Sequence, residues 1–231
     1  LLMAGNISSA EEEGRLSGIQ RLVYLDAVLP RHYCGSGPAQ LGESGQPLCD
    51  RLAQEVIPMQ TLEGLVDVHA HADPDETPRA IDFLELAKIY MDRGVRAMVI
   101  MNHFDPTAGF AYMARKHAPG LQVFGGIVLN RLVGGINPAA VEHFLHVEGG
   151  HGKIVYMPTL DSENESGASK TSRQFVRISK DGQLLPEVRE MLSLIAKHEL
   201  VLSTGHSSAE EVLLLTREAR KLGVKQILAT N

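Results

Sequence analysis

From Leu65 onward, apolar runs of strand length alternate with amphipathic segments of helix length, and this alternation restricts the fold more than any other feature. The apolar runs are Leu65–Ala72, Val95–Met101, Leu121–Leu129, Lys153–Met157, Leu200–Thr204 and Lys225–Thr230. Strands that alternate with helices build βαβ units and a parallel sheet. The runs are apolar at successive positions, as strands covered on both faces must be. An α/β fold of the (β/α)-barrel kind is expected, with an open doubly wound sheet as the alternative. Both place polar, chemistry-bearing groups at the carboxyl ends of the strands.

The helices carry their own start and stop signals. Thr77-Pro78 offers a cap and a proline at a first helical position, and Phe83, Leu86, Ala87, Tyr90 and Met91 form the stripe that follows. Asn137-Pro138 repeats the device, and Ser208 with Glu211 spells a capping box. Phe175–Ile178 and Gln183–Leu185, joined through Asp181-Gly182, read as a small hairpin. Six strands are countable where a barrel needs eight. The expectation is therefore an incomplete barrel of about six βα units over residues 61–231, its last two units absent, behind an irregular extension over residues 1–60. Within that extension Arg21–Pro30 resembles a core strand of esterase-like hydrolases, but no Gly-x-Ser-x-Gly elbow accompanies it.

The chain has 231 residues, 44% of them hydrophobic, and a net charge of -6. Mild acidity without basic runs argues against nucleic acid as a partner. No apolar run is long enough to cross a bilayer. Leu1-Leu2-Met3 lacks the basic start and apolar centre of a signal peptide. Cys34 and Cys49, in a loop-like stretch, make no disulfide scaffold. A cytoplasmic protein acting on a small molecule, free to form homo-oligomers, is the resulting expectation.

The strand ends supply the candidate site. Asp67, His69 and His71 alternate along one strand and should share a face. Two imidazoles with a carboxylate close by suit zinc, with manganese or iron as the other candidates. Later strands end at Asn102-His103, Asn130, Thr159 with Asp161, and His206. Strand ends around one mouth converge, so His206 is expected beside the first pair. Of Asn102 and His103, only one can face inward. His117, His143, His146, His151 and His198 are expected on the surface, and Lys153, at a strand start, is expected to be structural.

Asp67-Val68-His69-Ala70-His71 on a first strand, with Thr204-Gly205-His206 on the fifth, resembles the amidohydrolase superfamily of metal-dependent hydrolases. A closer likeness is to an uncharacterised amidohydrolase-like family, through Asn102-His103-Phe104, Phe124–Asn130, Met157-Pro158-Thr159, Leu184–Val188 and Thr204-Gly205-His206. The resemblance implies a TIM-barrel hydrolase in which His69, His71 and His206 hold the metal and Asp67 orients a histidine. The metal would activate water to cleave an amide, lactone or related bond. Asp73 and Asp161 are candidate general bases, with Asp75 also in reach, and Asn102, His103, Asn130 and Thr159 are candidate substrate contacts. A sixth-strand histidine and an eighth-strand aspartate, implied by the superfamily, fall beyond Asn231. Two rivals remain. One is a phosphoesterase of the polymerase-and-histidinol-phosphatase type, which also opens with His-x-His. The other is an inactive barrel remnant serving as a metal-binding or interaction module.

Overall fold

The computed structural model describes residues 62–168 and 174–230. The expectations for the N-terminal extension, with Arg21–Pro30 and both cysteines, lie outside these residues.

The elements in chain order are β1 (Val66–Ala70), α1 (Phe83–Asp92), β2 (Ala97–Ile100), α2 (Ala108–His117), β3 (Gln122–Val128), α3 (Pro138–His146), β4 (Gly152–Tyr156), α4 (Glu163–Ala168), β5 (Ser179–Lys180), β6 (Gln183–Leu184), α5 (Pro186–Lys197), β7 (Val201–Ser203), α6 (Ala209–Lys221) and β8 (Gln226–Leu228). Six strands form one sheet in the order β1-β2-β3-β4-β7-β8, every pair parallel. β5 and β6 make a separate antiparallel hairpin; its first strand is Ser179–Lys180, directly beside the Asp181-Gly182 turn, and not the expected Phe175–Ile178, while the second is Gln183–Leu184. Sequential order without reversal is the topology of a barrel wall and not of a doubly wound sheet.

The sheet is curled into a half-barrel. Three strand spacings separate β1 from β4, about 14 Å if the sheet were flat. Yet the Tyr156 hydroxyl of β4 donates to the Val68 carbonyl of β1 at 3.2 Å. The His69 and Tyr156 rings meet edge-on with centroids 5.7 Å apart. The concave face carries Val99, Met101, Val128, Ile154 and Tyr156. The convex face is covered by helices in two clusters, one around Met98, Ile100 and Tyr90, the other around Ile127, Val155, Met191 and Leu202.

Asn137 caps α3 through its side chain, and Ser208 with Glu211 closes the capping box of α6. Thr77-Pro78 does not start α1. Asp82 does, accepting from the amides of Leu84 and Glu85 at 2.8 and 2.9 Å. The physical reason lies upstream. The Asp73 amide donates to the Ile81 carbonyl, and Phe83 donates back to Asp73, so residues 73–82 close as a loop before any helix begins.

The expected face-sharing of Asp67, His69 and His71 fails at Asp67. The β1–β2 register shifts between Asp67 and Ala70, which pair with Met98 and Ile100. Three residues on β1 thus span two on β2, a bulge that inverts the side-chain phase. Asp67 turns to the helix layer, where the Tyr90 hydroxyl donates to its Oδ2 at 2.7 Å. Its Oδ1 accepts the His69 amide at 3.0 Å. A fully buried carboxylate must be hydrogen-bonded, and here those bonds fix the bulge that turns His69 and His71 inward.

Candidate functional site

Polar residues stand at or just beyond the strand ends of the half-barrel, and the curl brings together four histidines from three of those ends. His69 and His71 follow the bulge of β1, with their Nε2 atoms 3.1 Å apart. His71 and His103, beyond β2, have ring centroids 5.0 Å apart, and His103 and His206, beyond β7, 5.8 Å. A row of imidazoles therefore runs along the rim from β1 to β7. The other five histidines among the described residues stay apart: His117, His143, His146 and His198 are exposed, and His151 is half-buried. Lys153 is exposed at the start of β4.

His103, and not Asn102, faces the row. Asn102 commits its side chain to the loop instead. Its Oδ1 accepts the amides of Phe104 and Asp105, and its Nδ2 donates to the Pro74 carbonyl. Asn130 is likewise taken up: Oδ1 accepts the amides of Thr159 and Asp161, while Nδ2 donates to the His103 carbonyl and to Thr159 Oγ1. Both asparagines brace strand-end loops, so neither side chain is free for the substrate contact expected of it. Thr159 Oγ1 lies 2.9 Å from His103 Nδ1. Asp161 Oδ2 accepts the Arg131 amide, and Asp73 Oδ1 accepts the Arg79 amide, both at 2.9 Å.

Two other acidic groups stand beside the histidines. Asp75 Oδ2 is 4.0 Å from His71 Nδ1, and Glu165 Oε2 is 3.4 Å from His206 Nδ1. Arg79 binds Asp75 Oδ2 through Nη2 and Nε at 2.8 and 2.9 Å, and its Nη2 also stands 3.3 Å from His71 Nδ1. Arg79, Glu165 and Tyr156 carried no motif in the sequence; only the curl and the β1–α1 loop bring them to the rim.

Burial, reinforced by His69, pushes His71 down to about 3. Burial, reinforced by His206, pushes His103 down to about 4. Burial also lowers His206, against the opposing pull of Glu165. Neutral imidazoles are the form that ligates metals. The same shifts predict a pH dependence. Below about 6.5 the unfolded chain protonates His71 and His103, while the folded chain does so only near about 3 and about 4. Stability should therefore fall as pH drops from about 6.5 towards 4, at up to about 1.4 kcal/mol per pH unit for each histidine. Urea titrations at pH 7, 6, 5 and 4 check this; an His71→Phe/His103→Phe variant should lose most of the slope.

The donor set tests whether a cation fits. Zn–N bonds of about 2.0–2.1 Å in a tetrahedral site hold two nitrogens about 3.3 Å apart. The His69–His71 pair, at 3.1 Å, is close to that span. A ligand bound through Nε2 carries its proton on Nδ1 and hands it to a carboxylate; the Asp75 carboxylate stands 4.0 Å from His71 Nδ1, beyond hydrogen-bond reach, and Arg79 Nη2, which can only donate, is 3.3 Å from that nitrogen, so this ring would have to exchange Arg79 for Asp75 to bind that way. A third ligand is not in place. Among the described residues, no group of three His, Cys, Asp or Glu side chains is arranged to hold a metal ion. Two histidines fit, and His206 would have to turn from Glu165 to join them.

Residues 64–231 match a family whose description reads "Family of unknown function (DUF6282)". No curated protein matches the chain.

Proposed function

We propose a function for the chain, which belongs to the family of unknown function DUF6282, from its site: it is a metal-dependent hydrolase of the amidohydrolase type, acting on a small molecule. The observation that carries the reading is the His69–His71 pair, turned inward by a bulge and held Nε2 to Nε2 at 3.1 Å on a half-barrel rim. A zinc ion bound there would lower the pKa of water towards neutrality and polarise a scissile carbonyl. The protein's own part is positional. Asp67 fixes the bulge, Asp75 and Arg79 set the His71 ring, and Tyr156 walls the concave side against His69. His206, with Glu165 at its Nδ1, is the third ligand proposed. Asp73 and Asp161 remain the proposed general bases.

A second reading, the phosphoesterase, draws on His103, which stands in ring contact with both His71 and His206. Purified protein supplemented with zinc or manganese, assayed on matched p-nitrophenyl esters, lactones, anilides and phosphate esters, separates the two. Carbonyl hydrolysis is expected. Turnover of phosphate esters alone supports the second reading, and metal retention without turnover of any of them leaves a metal-binding module.

A further inference from the structure

We infer that Asn130 and Thr159 lock His103 into a single tautomer, its proton on Nε2, so that His103 donates a hydrogen bond to a substrate oxygen and does not ligate the cation. This deepens the hydrolase reading and rests on it only for whose oxygen is met.

The lock follows from counting donors and acceptors. Asn130 Oδ1 receives two backbone amides, from Thr159 and Asp161, which fixes which end of the side-chain amide is oxygen. The other end is therefore NH2, and it donates to the His103 carbonyl and to Thr159 Oγ1 at 3.0 and 2.9 Å. Thr159 Oγ1 thus already accepts a hydrogen bond and still has its own proton to donate. Thr159 is 1% exposed, so that proton needs an acceptor inside the protein. His103 Nδ1, at 2.9 Å, is the acceptor within reach among the described residues. A histidine that accepts at Nδ1 and is neutral carries its proton on Nε2.

Two further observations agree. The Asn130 bond to the His103 carbonyl anchors the residue at its backbone as well as at its ring. Among the described residues no protein group bonds His103 Nε2, and that atom is not among the buried polar atoms left without a partner. It therefore opens towards the rim. A protonated Nε2 offers no lone pair to a metal, and Nδ1 is taken. The occupant that suits it is an oxygen acceptor: the carbonyl or phosphoryl oxygen of a bound molecule. Asn130 and Thr159 act through His103 as positioning residues.

The test is two-bond 15N–1H NMR of the histidine side chains in the full chain. Wild type should show the Nε2–H pattern for His103. Thr159→Val, which keeps the shape and removes the hydroxyl, should convert it to a mixture of tautomers, and Thr159→Ser should restore it. Inorganic phosphate should shift the His103 Nε2–H proton, and His103→Gln should retain zinc at the wild-type stoichiometry. An Nδ1–H pattern in wild type overturns the inference even if Thr159→Val does not fold. So does an unchanged pattern in Thr159→Val, an Nε2–H proton indifferent to phosphate, or zinc lost in His103→Gln. Failure of the hydrolase reading looks different: no zinc and no turnover in wild type, with the tautomer pattern intact.

Discussion

Exchanging His69 and His71 together for alanine should reduce the zinc retained after gel filtration from about one equivalent per chain to none. Turnover should fall by more than about 100-fold, the upper end of what losing a ligand's hydrogen-bonding partner costs. Two features make the expectation sharp. The pair supplies the whole of the bidentate grip that the geometry shows, 3.1 Å across. The pair also contributes little to the fold, because the bulge is held by Asp67, through the His69 amide and the Tyr90 hydroxyl. Removing two buried imidazoles, of which burial keeps His71 neutral, should leave the melting temperature unchanged or raise it at pH 5. The exposed pair His117 and His143, exchanged in the same way, is the control and should leave zinc content alone. Metal bound equally by wild type and by the His69/His71 variant would remove the proposed centre.

The half-barrel was legible because its signals are local. Asn137 before Pro138, and Ser208 three residues before Glu211, define helix starts whatever the rest of the chain does, and both caps form. The strand ends follow from the helix starts, which is why His69, His71, His206 and one of Asn102 and His103 could be placed on one rim. The failures are where tertiary contacts override a local pattern. Thr77-Pro78 has the chemistry of a cap, but the backbone pairing of Asp73 with Ile81 and Phe83 holds that stretch as a loop, so Asp82 takes the role. Strict alternation puts Asp67 beside His69, but a bulge inserts one residue, and nothing in Val-Asp-Val-His-Ala marks it. Asn130 reads as a polar strand end facing a ligand; that it instead satisfies four hydrogen bonds between loops depends on where Thr159 and Asp161 arrive. Tyr156 looks like one more core aromatic, and only the curl takes its hydroxyl to β1. The chemistry-bearing residue types were thus readable, while the partition between those that face the rim and those that brace it was not.

That partition is sharpest at Gly205, and Gly205→Ala should be the most damaging single methyl added to the rim. Gly205 has φ +60°, and a Cβ there would stand 2.2 Å from the Met157 carbonyl oxygen and 2.5 Å from that of Pro158. Both obstacles are backbone of the β4 end, which cannot rotate aside as a side chain can. The close approach is what lets the His206 amide donate to the Pro158 carbonyl at 3.0 Å, and so what sets His206 on the row. The left-handed backbone alone costs about 1–2 kcal/mol for a residue with a Cβ, and overpacking adds about 1–3 kcal/mol. A loss of about 3 kcal/mol follows, or a melting temperature lower by roughly 6–12 °C for a domain of this size. Gly223 provides the comparison: φ is +91°, and a Cβ there would meet nothing within 4 Å. Gly223→Ala should therefore show the backbone cost alone, and the excess in Gly205→Ala measures the approach of β7 to β4. That excess should come with zinc bound more weakly in Gly205→Ala than in Gly223→Ala, because only the first displaces His206. Equal losses of stability in the two variants, measured by thermal unfolding, would show that the two strand ends do not meet as closely as the His206–Pro158 hydrogen bond requires.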